Sequence, residues 1–86
     1  MTTRILLIDD DEAIQQSCRT VLEEEGHQVE VASEGRGGLE LLGQKSFDLA
    51  LVDLKMPGLS GLEVLEQATA LDPDLILIIF TAYGTI

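Results

Sequence analysis

The stretch RILLIDDDEAIQQSCRTVLEEEG (residues 4–26) decides the fold. An unbroken apolar run, RILLI, gives way to four adjacent acids, Asp9, Asp10, Asp11 and Glu12. After them Ile14, Cys18, Val21 and Leu22 recur at i, i+4, i+7 and i+8. A short apolar run without alternation fits a strand covered on both faces, and the recurrence is one face of a helix that Gly26 is placed to end. Asp11 and Glu12 suit the cap and first turn of that helix, where acids are favoured. Asp9 and Asp10 then need another source of compensation.

The same alternation continues outward. QVEVA (28–32) alternates Val29 and Val31 with Gln28 and Glu30, the pattern of an edge strand, while FDLALVD (47–53) and LILIIF (75–80) read as further strands. A second helix near Glu34 to Gly43 carries Leu39, Leu41 and Leu42. It also holds Gly35, Gly37, Gly38 and Gly43, each disfavoured inside a helix by roughly 1 kcal/mol relative to Ala, so a short or mobile helix is expected. A third helix opens on Ser60-Gly61-Leu62-Glu63, an S-x-x-E capping box, continues through Leu62, Leu65 and Ala68, and stops before Asp72-Pro73-Asp74. Strands alternating with helices predict an α/β fold, a doubly wound parallel sheet in one domain spanning residues 1–86.

Composition narrows the function. Eighty-six residues, 45% hydrophobic with one Tyr, two Phe and no Trp, predict a small aliphatic core. LILIIF is too short to span a bilayer and no signal-peptide pattern precedes it, so a cytoplasmic chain is expected. The single cysteine, Cys18, excludes an internal disulfide framework. Sixteen acids against five bases give a formal charge of −11. Without clustered Lys and Arg there is no footprint for nucleic acid or an anionic membrane. Cations and basic protein surfaces are the natural partners.

In open parallel sheets ligands bind beyond the carboxyl ends of the strands. Those ends carry Asp9-Asp10, Asp53 and Thr81-Ala82. Carboxylates brought together need a positive charge, and an all-oxygen ligand set selects Mg²⁺ or Mn²⁺. Asp9 and Asp10 are therefore candidate metal ligands, Asp53 a candidate phosphoryl nucleophile and Thr81 a hydrogen-bond donor to the phosphoryl group. The competing readings are a solvated acidic cap for Asp9–Glu12, a turn residue for Asp53 and an ordinary strand terminus for Thr81.

ILLIDDDEAI, LALVDLKMPGLSGLEVL and LILIIFTAYG together resemble the receiver domain of bacterial two-component response regulators, and FTAYGTI is similar to the nitrogen-regulator type. The resemblance implies a flavodoxin-like sheet of strand order 2-1-3-4. It implies a histidine kinase as phosphoryl donor, Asp53 as phosphoacceptor, and Mg²⁺ held by Asp9, Asp10, Asp53 and the backbone carbonyl of Lys55. It also implies a signalling domain rather than an enzyme. Pro57 and Gly58 suit a rigid turn that steadies that carbonyl. Receivers continue into a fifth strand bearing a lysine; neither Lys45 nor Lys55 takes its place, and an open edge at LILIIF predicts a homodimer or swapped assembly. Two alternatives accompany this reading: a non-switching interaction module, and a metal-dependent aspartyl phosphohydrolase. The hydrolase would want a second acid where Lys55 stands.

Overall fold

The computed structural model describes residues 2–80. Strands and helices alternate as β1 (Arg4–Ile8), α1 (Glu12–Glu24), β2 (Gln28–Ala32), α2 (Gly35–Gln44), β3 (Leu49–Asp53), α3 (Gly61–Leu71) and β4 (Ile76–Phe80). All strand pairs are parallel, in the order β2-β1-β3-β4. The expected architecture and strand order are both present, with QVEVA at an edge. FDLALVD becomes strand only from Leu49. Ahead of it, Phe47 turns into the core, and Asp48 is tied to Arg4 by two hydrogen bonds of 2.8 Å, one through each residue's backbone N–H. That tie starts β3 beside the start of β1.

β1 is central, and Ile5, Leu6, Leu7 and Ile8 are all buried. On one face Leu6, Ile8, Ala32, Ala50, Val52, Phe47 and Val64 of α3 form the core, covered by Leu39 and Leu42 of α2 and by Leu59 of the turn before α3. Burying each large aliphatic side chain there contributes about 1.5–3 kcal/mol before entropy is counted. Among the described residues the opposite face is covered by α1 alone. Leu51, which alternates with Ala50 and Val52, meets Ser17, Cys18, Val21 and Leu22 of α1 across an open groove.

Three sequence expectations need correction. Val21 lies on the predicted core face of α1 but is 59% exposed, because α1 packs chiefly over β2 and, among the described residues, no element covers the β4 side of that face. Leu62 is exposed too: α3 buries the stripe Gly61, Val64 and Ala68 instead of one through Leu62. LILIIF is as unbroken as the run before Asp9, the pattern of a strand covered on both faces, yet among the described residues Ile76 and Ile78 of β4 remain 63% and 48% exposed.

α2 forms over ten residues despite its glycines. Gly35 and Gly38 face inward, and a Cβ on Gly38 would stand 2.2 Å from Ile8 Cδ1. The helix lies too close to the sheet for a side chain at that point. α1 ends as expected in a Schellman arrangement, with Gly26 N–H donating to Glu23 O (3.0 Å) and His27 N–H to Leu22 O (3.1 Å). α3 begins with the capping box read from the sequence: Ser60 Oγ accepts from Glu63 N–H, and Glu63 Oε1 accepts from Ser60 N–H.

Candidate functional site

The carboxyl ends of β1 and β3 are neighbours because those strands pair, Ile8 opposite Val52. The next residues along each chain therefore arrive side by side. Asp9, Asp10 and Asp53 each offer a carboxylate oxygen, and these oxygens lie within 4.8 Å of one another. Asp9 is fully buried, Asp53 nearly so, and Asp10 is exposed.

Local hydrogen bonding fixes each acid. Asp9 N–H donates to Ala32 O at the end of β2 (3.1 Å), and Asp9 Oδ1 accepts from Asp11 N–H (2.8 Å). Asp9 Oδ2 is buried without a hydrogen-bond partner among the described residues. An unmatched buried carboxylate oxygen is costly. Burial pushes the Asp9 carboxyl pKa upward, and the charges of Asp53, Asp10 and Asp11 push the same way against the lowering effect of the Asp11 N–H. The site holds negative charge where a hard cation would be stabilised, and all its side-chain donors are oxygens. These residues fit a divalent metal.

Asp53 closes β3 opposite Phe80 of β4, and its Oδ1 accepts from Lys55 N–H at 3.2 Å. Leu54 N–H donates to Phe80 O (2.7 Å) and Leu54 O accepts from Gly61 N–H (3.2 Å), so the turn after Asp53 is held at both ends. Gly58 takes φ +82° within that turn, a region that favours glycine. Gly61 is required for space: a Cβ there would lie 2.9 Å from both Asp53 O and Leu54 Cα. The start of α3 rests directly on the backbone that carries Asp53.

Asp11 is the N-cap of α1, its Oδ1 accepting from Ala13 N–H (2.8 Å) and Ile14 N–H (3.3 Å), and Glu12 lies in the first turn. The run of four acids thus divides as expected, two to the cluster and two to the helix. Thr81 and its neighbours Ala82 and Tyr83 lie outside the described residues. Sequence reasoning missed Gln15, whose Nε2 donates to Asp9 O (2.5 Å) and to Ser33 Oγ (3.2 Å). Its only signal was a polar residue one turn into the helix that follows the acids.

Residues 5–86 match the family described as the response regulator receiver domain. The chain belongs to that family. Among curated relatives the receiver is 38% identical, over all 86 residues, to the response regulator MprA of Mycolicibacterium vanbaalenii, and spans 37% of that protein's length. It is 36% identical to sporulation initiation phosphotransferase F of Bacillus subtilis, covering 98% of this chain and 68% of that one. Among solved structures, a CheY-like receiver domain protein from Methanospirillum hungatei superposes with a TM-score of 0.93 at 41% identity, over 100% of this chain and 69% of that one. Response regulator TrrA of Thermotoga maritima, 35% identical, matches in complex with Mg²⁺-BeF (TM-score 0.90, 95% of this chain and 71% of that one). It matches again in complex with the histidine kinase ThkA (TM-score 0.89, 96% and 72%). The receiver therefore has the flavodoxin-like fold expected of its sequence and is a signalling domain of the two-component type. No helix among the described residues is long and apolar enough to cross a membrane.

Proposed function

We propose that this receiver accepts a phosphoryl group on Asp53 from the phosphohistidine of a sensor kinase, in the cytoplasm, with Mg²⁺ or Mn²⁺ bound by Asp9, Asp10, Asp53 and the Lys55 carbonyl. The observation that carries the reading is the buried, unpartnered Oδ2 of Asp9 beside the carboxylates of Asp10 and Asp53. The complexes of TrrA with Mg²⁺-BeF and with a histidine kinase support it by similarity.

A carboxylate oxygen of Asp53 attacks phosphorus, the P–N bond to the imidazole breaks, and the nitrogen keeps the electron pair and takes up a proton. An acyl phosphate results, which water later hydrolyses. When bound, the metal neutralises charge on the phosphoryl oxygens. Asp9, buried, and Asp10, exposed, would each offer a carboxylate oxygen to the cation. Lys55 N–H steadies one Asp53 oxygen and leaves the other for attack. Thr81 donates a hydrogen bond to the phosphoryl group.

Intact-protein mass spectrometry after incubation with acetyl phosphate and Mg²⁺ tests this. A single phosphoryl adduct is expected, lost with chelator and in Asp53→Asn. An adduct that survives Asp53→Asn refutes the assignment.

A second reading, assembly with another copy of the chain, has its own support. Among the described residues β4 pairs only with β3, and its Ile76 and Ile78 are exposed. Two such edges related by a two-fold axis pair antiparallel and cover each other. Sedimentation over a dilution series should show a concentration-dependent dimer; a folded monomer throughout refutes it.

A further inference from the structure

We propose that Gln15 is a positioning residue for the divalent-cation site, its amide fixing the Asp9–Asp10 peptide so that both carboxylates face Asp53. The inference rests on the metal reading above and extends it to a residue that is not a ligand.

A backbone carbonyl only accepts, so the group 2.5 Å from Asp9 O must be the amide NH₂, and its other hydrogen is then directed to Ser33 Oγ at 3.2 Å. Both donors of one side chain are used, one on the residue after β1 and one on the residue after β2. Asp9 N–H is bound to Ala32 O. The Asp9 backbone is therefore pinned to the end of β2 on both sides, directly through its N–H and through Gln15 at its carbonyl. The carbonyl of Asp9 and the N–H of Asp10 share one rigid peptide plane. Holding that oxygen sets the direction in which the chain leaves toward Asp10, which is exposed and, among the described residues, has no side-chain hydrogen bond of its own to orient it. Asp11 N–H, two residues on, holds Asp9 Oδ1 and leaves Oδ2 without a hydrogen-bond partner among the described residues. Gln15 is not one of the acids that make up that cluster.

The test is Mn²⁺ titration followed by electron paramagnetic resonance on the 86-residue chain, with thermal unfolding in chelator measured in parallel. Removing groups that orient metal ligands commonly weakens affinity by about 10–100-fold. Gln15→Met, which keeps length and volume but has no donor, is expected to weaken Mn²⁺ binding by about tenfold. Ser33→Ala should weaken it less, and should add nothing further in the Gln15→Met background, because the two act through one bracket. Gln15→Leu is the second donorless variant if Gln15→Met does not fold. Wild-type affinity in a folded donorless variant overturns the assignment of Gln15 and leaves the metal site standing. Additive losses in the double variant overturn the bracket. Absence of Mn²⁺ binding to the wild-type chain overturns both the assignment and the metal reading.

Discussion

The same chemical change, Gly→Ala, should have opposite signs at two helical positions. At Gly43, in α2, a Cβ would meet nothing within 4 Å. Only the loss of glycine's backbone freedom counts there, a gain of about 0.5–1 kcal/mol. At Gly61, the first residue of α3, the Cβ would stand 2.9 Å from Asp53 O and 2.9 Å from Leu54 Cα. Both atoms are backbone, held by Leu54's hydrogen bonds to Phe80 and Gly61, so no side chain can swing aside. Overpacking of this kind costs about 1–3 kcal/mol, which the helix gain only partly offsets. The net cost is about 0.5–2 kcal/mol, so with about 4–8 °C per kcal/mol for a domain of this size Gly61→Ala should lower the melting temperature by about 2–16 °C, and Gly43→Ala should raise it by about 2–8 °C. Thermal unfolding followed by far-ultraviolet circular dichroism reads both. The two variants should also separate functionally, since a displaced Asp53 weakens Mn²⁺ binding only in Gly61→Ala. If Gly61→Ala melts at or above the wild type, the close seat of α3 on the Asp53 backbone is wrong.

Three further outcomes follow from the site and the caps. The Asp9 carboxyl has a raised pKa in the folded chain, so the folded state holds its proton at pH values where the unfolded chain has lost it. Metal-free stability should therefore fall as pH rises from the ordinary value of 3.8 through the raised one, and recover on acidification; urea unfolding in chelator against pH checks the slope. Asp9→Asn should flatten that slope, raise metal-free stability at neutral pH and abolish the stabilisation produced by added Mg²⁺, measured by melting with and without the ion. Ser60→Ala removes half of the capping box and should cost about 1 kcal/mol, read as a shift of the urea midpoint with unchanged m-value.

The elements were legible in the sequence because each announces itself locally. RILLI changes abruptly from an unbroken apolar run to helical spacing at Asp11, and Ser60 with Glu63 states where α3 begins. Asp9, Asp10 and Asp53 were legible as a cluster because parallel strands bring their carboxyl ends to one edge. What stayed hidden depends on partners distant in the chain. The cost of glycine in α2 is visible from composition, but its reason, Ile8 of β1 beneath Gly38, is thirty residues away. Val21 and Leu62 satisfy helical periodicity yet face away from cover, because periodicity names a stripe and not what lies opposite it. Gln15 carried no periodic signal at all. Its importance comes from an amide meeting two loops that only the folded sheet makes adjacent.

Asp11 faces two ways. Its N–H steadies Asp9 Oδ1, while its own carboxylate holds the N–H groups of Ala13 and Ile14. Fraying of the first turn of α1 thus loosens the acid next to it, and an ion bound at Asp9 as proposed would quiet the fraying in return. The amide protons of Ala13 and Ile14 should then report site occupancy, exchanging with solvent more slowly when Mg²⁺ is added, although neither residue is among the proposed ligands.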